Sequence, residues 1–157
     1  MFENILSILD GKRPSVGEQI YGNFLYDMMR GIITGHVGEI TGVIEIPSEI
    51  NGIEIRAVGT GAFAGCTGIT ELIINNGIAE IETGAFSGCV GIKLLKLPDT
   101  LKYIGEGAFM GCSSLDKLTI PDGTVHIDER AFYGCSFAED IKIPDTVQYV
   151  ANDAFDR

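Results

Sequence analysis

One motif returns along the chain at a fixed period of 23 residues, and no other feature constrains the fold as strongly. The motif reads Gly-Ala-Phe-x-Gly-Cys at residues 61–66, 84–89 and 107–112, with a variant at 130–135 and a truncated copy at 153–155. Such a period is typical of a solenoid, because one unit cannot bury its apolar face alone and has to stack on its neighbours. Two columns keep register through the copies: Phe63, Phe86, Phe109, Phe132 and Phe155, and Cys66, Cys89, Cys112 and Cys135.

Between the copies of this motif the sequence repeats an apolar pattern of the form L-x-x-L-x-L. The third copy shows it as Leu115, Leu118 and Ile120, followed by Pro121. This pattern is the strand portion of a leucine-rich repeat, and a proline ends such a strand because it has no N–H for the ladder. We therefore expect right-handed, mainly β coils of about 23 residues, stacked in register as a parallel sheet. The central column of that sheet is predicted to be Leu72, Leu95, Leu118 and Ile141.

The chain divides into residues 41–157, predicted to form the solenoid, and residues 1–40, which do not repeat and are predicted to form an N-terminal cap of the same domain. A cap is expected because the end of a solenoid otherwise leaves its core open. The dipeptide Asn51-Gly52 predicts a small hairpin in the first coil, bulging outward. Apolar residues at 2, 5, 6 and 9 have helical spacing, whereas those at 20–29 fit a helix or a strand.

The four cysteines are predicted to be reduced and buried. They share one slot of successive coils, so their side chains run parallel and do not face each other as a disulfide requires. A free cysteine packs as a small hydrophobic residue. The sequence has no Cys-x-x-Cys pair, and parallel acidic columns cannot converge on a calcium ion. We therefore predict no metal site and no cofactor.

The net charge of −11 argues against two classes of partner. Nucleic acids and anionic lipid surfaces both require clustered Lys and Arg. No apolar run reaches the roughly 18–20 residues that a membrane span needs. The first nine residues have an acid at position 3 and no basic segment, so they resemble a signal peptide poorly. The location is left open between the cytoplasm and export by a signal that is absent from this chain.

The repeat unit L-x-x-L-x-I-P-[DN]-x-[VIL]-x-x-I-x-x-G-A-F-x-G-C, seen at 69–89, 92–112 and 115–135, resembles the BspA-like leucine-rich repeat. The similarity extends over residues 44–157, and the segment 46–53 is similar to the usual first copy of that family. Departures from the pattern are Asn75 in the proline slot, Thr124 in an apolar slot and Ala138 in a leucine slot. The resemblance implies a bacterial cell-surface or secreted protein that binds host or bacterial proteins and has no enzymatic activity.

The first candidate binding surface is the outward face of the predicted sheet. Four of the six lysines of this acidic chain fall on that face, which is a mixture of basic and apolar residues. Such a face suits a protein or peptide partner, although interleaved charges also serve simply to keep an exposed sheet soluble. We call these residues the sheet face: Glu71, Ile73, Lys93, Leu94, Lys96, Lys117, Thr119 and Lys142.

A second candidate surface lies on the short extended piece that follows the proline. Tyr103, His126 and Tyr149 share one column there and are predicted to stack as an aromatic strip. The strip could bind a partner, or it could be ordinary packing between neighbouring strands. We refer to these three residues as the aromatic strip.

No catalytic constellation is visible in the sequence. It has two histidines and neither a Gly-x-Ser-x-Gly motif nor a glycine-rich phosphate loop. The expected function is therefore a non-catalytic module for protein binding, in adhesion or in capture of host or bacterial proteins. The alternative is a structural role, in which the uncapped coil at Phe155 stacks on another copy to form a homo-oligomer.

Overall fold

The computed structural model describes residues 15–157, and this part of the chain is made of short strands and turns without any helix. The strands belong to three sheets of eight, three and two strands. They are β1 Glu18–Tyr21, β2 Phe24–Asp27, β3 Ile32–His36, β4 Gly42–Ile46, β5 Glu49–Ile50, β6 Ile53–Glu54, β7 Ala57–Val58, β8 Ile69–Ile74, β9 Glu80–Ile81, β10 Leu94–Lys96, β11 Tyr103–Ile104, β12 His126–Ile127 and β13 Tyr149–Val150.

The eight-stranded sheet runs the length of the solenoid in the order β1-β2-β3-β7-β9-β11-β12-β13. Its last five strands come one from each coil and pair in parallel without any slip in register. Ile81 faces Ile104, and Ile104 faces Ile127, so the buried side chains form columns. The solenoid predicted from the period is confirmed, with five stacked coils.

The second sheet has the order β10-β8-β4 and is also parallel. Leu72 lies between Ile44 and Leu95, as the predicted column requires. The strands predicted for the next two members of that column are absent, since residues 115–120 and 138–143 contain no regular strand, although Leu118 and Ile141 still pack against the core. This side of the solenoid is a regular sheet only in its first three strands.

The second sheet ends where the slot two residues after each cysteine is no longer occupied by glycine. A Cβ atom on Gly91 would lie 2.4 Å from the carbonyl oxygen of Thr67, so only glycine allows the two coils to approach so closely. The next coils carry Ser114 and Phe137 in the same slot. A Cβ atom in this slot does not fit the approach seen at Gly91, and the regular ladder stops after β10.

The N-terminal strands β1, β2 and β3 form an antiparallel unit, and β3 joins the solenoid by parallel pairing with β7. The ambiguous segment 20–29 is therefore strand and turn rather than helix. The predicted helical spacing at residues 2–9 lies outside the described residues, and a cap formed by residues 1–40 stays a prediction. The hairpin at Asn51 is confirmed: β5 pairs antiparallel with β6, and Asn51 and Gly52 have φ angles of 51° and 80°. Ile50 points into the core, so the hairpin does not stand fully clear of the coil.

The phenylalanine column is the axis of the core. Rings in successive coils stack nearly parallel, with centroids 5.2 Å apart for Phe63 and Phe86 and 5.3 Å apart for Phe86 and Phe109. The stack continues from Phe109 to Phe132 at 5.2 Å and from Phe132 to Phe155 at 5.4 Å. These separations follow the spacing of about 5 Å between neighbouring strands. The first four rings are fully buried and Phe155 is half-buried.

In the coil that lacks the usual leading leucine, the side chain of a neighbouring residue fills the core. Ala138 occupies the leucine slot and is exposed, whereas Phe137 turns inward. The ring of Phe137 contacts Phe132 edge-on at 6.1 Å and Phe155 at 6.3 Å. An interchange of two adjacent positions thus keeps the coil filled.

All four cysteines are free and buried, as predicted. The thiols of Cys89, Cys112 and Cys135 each donate to the phenylalanine carbonyl 26 residues earlier, at 3.1, 3.3 and 3.4 Å. Burial raises the pKa of Cys89 and Cys135 to about 12 and raises the pKa of Cys112 further still. These thiols are therefore neutral core groups at physiological pH.

Alkylation of the protein, unfolded in urea without reductant, is expected to add four labels. The reason is that no sulfur is paired in the folded state. Intact-mass spectrometry counts the labels directly, and a sample reduced before alkylation serves as the control. Fewer than four labels, together with the mass deficit of a disulfide, would contradict this prediction.

Candidate functional site

The sheet face surrounds a shallow depression of about 170 Å³. It lies where β8 and β10 meet the irregular segment of the next coil. The depression is therefore at the edge of the second sheet, where the regular strands stop. Seven of the eight sheet-face residues line it, all except Lys142. The lining consists of Glu71, Leu72, Ile73, Lys93, Leu94, Leu95, Lys96, Lys117, Leu118 and Thr119.

Lys142 lies in an adjoining depression of about 480 Å³. Thr119 borders both depressions, which therefore share one edge. The acidic residues Asp99 and Asp122 line the second depression together with Lys142. The basic character of the sheet face is thus concentrated in the first depression, around Lys93, Lys96 and Lys117.

Large apolar side chains stand exposed beside the lysines. Leu94 is 59% exposed and Val43, which projects from β4, is 60% exposed. Both are register partners of Glu71, so they lie on either side of that residue on the same face. Ile73 is half-buried. Val43 was missed in the sequence, although aligning β4 with β8 would have placed it in the outward column.

The lysines of the sheet face are not engaged in ion pairs among the described residues. The ion pairs found in residues 15–157 are Arg56 with Glu54, His126 with Asp128 and Arg130 with Asp153. Lys93, Lys96 and Lys117 are exposed. Their charges are therefore available to an acidic group that approaches this face.

In the aromatic strip one pair of neighbouring rings is stacked and the other is tilted. The ring of His126 lies 4.5 Å from that of Tyr149 at an interplanar angle of 22°, and 6.1 Å from that of Tyr103 at 44°. His126 Nε2 is 2.8 Å from Asp128 Oδ1, and the hydroxyl of Tyr149 donates to Glu129 at 3.2 Å. That hydrogen bond, with the nearby negative charge, raises the pKa of Tyr149.

The surroundings of the aromatic strip are acidic. A cleft of about 400 Å³ beside Tyr103 is lined by the carboxylates of Glu80, Glu82 and Asp128. The two candidate surfaces therefore differ in the sign of their charge, since the sheet face is basic and the surroundings of the aromatic strip are acidic.

One contact between side chains was not foreseen from the sequence. The thiol of Cys66 lies 3.3 Å from Nε2 of His36, on β3. The only advance sign is that Cys66 is the first of its column, so no earlier coil exists whose carbonyl it could contact. The two residues are 30 positions apart, and no local pattern relates them.

Within residues 15–157 no group of three or more His, Cys, Asp or Glu side chains is arranged to hold a metal ion. In the same part of the chain no helix has the length and hydrophobicity needed to cross a bilayer.

The family comparison agrees with the repeat pattern. The model of the family described as BspA type leucine rich repeat region matches residues 43–157, with six copies. The matches indicate no catalytic family. Among curated proteins, no sequence matches this chain.

Several solved structures are similar to this chain. A leucine rich repeat protein of T. pallidum is 27% identical with a TM-score of 0.77, over 92% of this chain and 66% of that one. A leucine rich cell surface protein of Faecalibacterium prausnitzii is 27% identical with a TM-score of 0.79, over 90% of this chain and 37% of that one. A leucine-rich repeat protein of Bacteroides ovatus is 28% identical with a TM-score of 0.65, over 83% and 34%. This chain therefore spans less than two thirds of the length of each of these proteins.

Proposed function

Because the chain belongs to the BspA-type leucine-rich repeat family, we propose that it is a non-catalytic module that binds a protein or peptide through the sheet face. Solenoids of stacked repeats commonly present extended surfaces to partners. The observation that carries the proposal is the depression where exposed Leu94 lies among Lys93, Lys96 and Lys117. An apolar centre with a charged rim is the usual anatomy of a protein-binding surface.

The size of the depression favours a macromolecular partner over a small molecule. Pockets for small ligands have volumes of roughly 300–1,000 Å³ and enclose most of the ligand. The depression at the sheet face holds about 170 Å³ and is open to solvent, so it accommodates one or two side chains of a larger partner. An acidic segment that carries an apolar side chain has the complementary chemistry.

The setting that we propose for this binding is adhesion at a cell surface. The similar protein of Faecalibacterium prausnitzii is described as a cell surface protein, and the BspA-like resemblance implies the same location. The aromatic strip is the second candidate surface, and its acidic surroundings suit a basic partner. Self-association through the coil that carries Phe155, whose ring is half-buried, is the alternative proposal.

Reversing two charges in the depression is expected to weaken binding without unfolding the protein. The variants are Lys96→Glu and Lys117→Glu, made singly and together, and the control for each single reversal is Lys102→Glu, which lies outside both depressions. Exposed charges contribute roughly 0–1 kcal/mol to stability, so the variants should stay folded. Binding to a panel of immobilised peptides of graded acidic and apolar content should lose about tenfold or more in on-rate at low salt.

The outcome for each variant separates the candidate functions. Equal binding of acidic peptides by the double variant and the Lys102→Glu control would contradict a role for the sheet face. Basic peptides are included in the panel as well, and loss of their binding in Tyr103→Ala alone would assign binding to the aromatic strip. Sedimentation of the same samples measures their mass, and association that rises with concentration while no peptide binds would favour self-assembly.

A further inference from the structure

We propose that Cys66 is a modification site, at which the thiol exchanges with small disulfides while His36 acts as the base that accepts its proton. The sulfur lies 3.3 Å from His36 Nε2, within the distance of a hydrogen bond that involves sulfur. A nucleophile in contact with a base that is itself oriented by a third group is the arrangement that activates a weak nucleophile. This site is separate from the sheet face.

The third group of this arrangement is the carbonyl oxygen of Gly38. It lies 2.9 Å from His36 Nδ1, and because a carbonyl only accepts, Nδ1 must carry the hydrogen. The other ring nitrogen, Nε2, is then unprotonated in the neutral histidine and directed at the thiol. The ring is held in this orientation by stacking on Phe63, with centroids 5.8 Å apart and an interplanar angle of 12°.

The other three cysteines lack both a basic group beside the thiol and the exposure that Cys66 has. Their thiols donate to phenylalanine carbonyls, which cannot accept a proton to release a thiolate. Cys66 is 9% exposed, whereas Cys89 and Cys112 are completely buried and Cys135 is 3% exposed. Burial raises the pKa of Cys66 as well, so the thiolate is not formed in advance and the proton must leave during the reaction.

The small disulfide is the only oxidant that the exchange needs. The thiol proton moves to His36 Nε2 as the sulfur of Cys66 attacks the nearer sulfur of the disulfide. The disulfide bond of the reagent breaks, a new bond joins Cys66 to one half of it, and the other half leaves as a thiolate. That thiolate takes the proton from His36. The reagent is reduced to one thiol, and Cys66 is oxidised to a mixed disulfide.

The simpler interpretation is that Cys66 and His36 only contribute to packing. The variants are chosen to distinguish this role from catalysis of the exchange. His36 also extends the phenylalanine column by one ring and supplies the acceptor that Cys66 has in place of a coil carbonyl. His36→Phe keeps an aromatic ring beside Phe63 but removes the base. His36→Gln keeps a hydrogen-bond acceptor that is not basic. Cys66→Ser removes the nucleophile.

The folded protein is incubated with excess 2-hydroxyethyl disulfide near neutral pH, and intact mass and peptide mapping follow the adducts over time. We expect one adduct, at Cys66, at least tenfold faster than at any other cysteine. Cys66→Ser should gain none over that period. Both His36 variants should slow the reaction by at least tenfold, because a general base typically contributes roughly 10²–10⁴-fold.

Three results would overturn the proposal. They are no adduct on the folded wild type, equal rates at all four cysteines, and an unchanged Cys66 rate in a folded His36 variant. Circular dichroism and urea unfolding establish that each variant is folded. If His36→Phe does not fold, the decision rests on His36→Gln and on the selectivity of the wild type.

Discussion

Replacing Phe109 with alanine is expected to destabilise the protein by about 3–5 kcal/mol, the usual range for removal of a buried aromatic ring from a core. Phe109 is fully buried and stacks on Phe86 at 5.3 Å on one side and on Phe132 at 5.2 Å on the other. The substitution removes both contacts, and close-packed coils above and below leave little freedom to collapse into the space. Urea unfolding followed by circular dichroism measures the loss.

Phe155→Ala is the matched control, since it removes the same side chain from the same slot of another coil. Phe155 is half-buried and stacks on one ring of its column, Phe132, at 5.4 Å, with Phe137 beside it. We expect less than half of the loss found for Phe109→Ala. Equal losses at the two positions would show that the last coil is as well packed as the centre, contrary to the observed exposure.

Gly91→Ala is expected to be the second most damaging of these changes, because the added methyl group has no space. Its Cβ would lie 2.4 Å from the carbonyl oxygen of Thr67 and 2.8 Å from that of Ile69, and both oxygens belong to the backbone. The φ angle of Gly91 is not in the left-handed region, so the cost comes from this collision alone. Overpacking of this kind costs about 1–3 kcal/mol and sometimes more.

Ser114→Ala provides the control, because it occupies the same slot one coil later and already carries a Cβ. Its effect on the free energy of unfolding is expected to stay within about 0.5 kcal/mol, the usual range for a change without such a mechanism. An effect of Gly91→Ala as mild as that of Ser114→Ala in urea unfolding would contradict the close approach of the two coils at Gly91.

The sequence was sufficient for the fold because its period is strict. Phe63 and Phe109 could be assigned to one buried column from spacing alone, since stacking in register brings equal slots together. The same reasoning brought together seven of the eight sheet-face residues, whose columns follow from the strand pattern. It also placed Tyr103 beside His126, as the pairing of β11 with β12 shows.

The features that escaped prediction lie where a slot differs from its equivalents or where the aligned repeats have not yet begun. Ser114 occupies the slot in which Gly91 allows a close approach of two coils, and the second sheet ends before it; that approach is a distance that spacing does not reveal. Val43 was overlooked because it precedes the first cysteine used for the alignment. The contact of Cys66 with His36 joins the repeats to a segment that does not repeat, so no period could indicate it.

The backbone hydrogen bonds between coils all run in the same direction, and this determines how such a chain can change in length. The N–H of Phe63 donates to the carbonyl of Ala85, Phe86 donates to Ala108, and the relation recurs at Phe109 and Phe132. Because each coil presents the following one with the same donors and the same ring, loss or duplication of one whole period rejoins matching surfaces. An insertion of any other length has to loop out of its coil, as the hairpin of β5 and β6 does, to leave the later columns in register. Copy number is thus the natural unit of variation for this architecture, and proteins of very different length can share it.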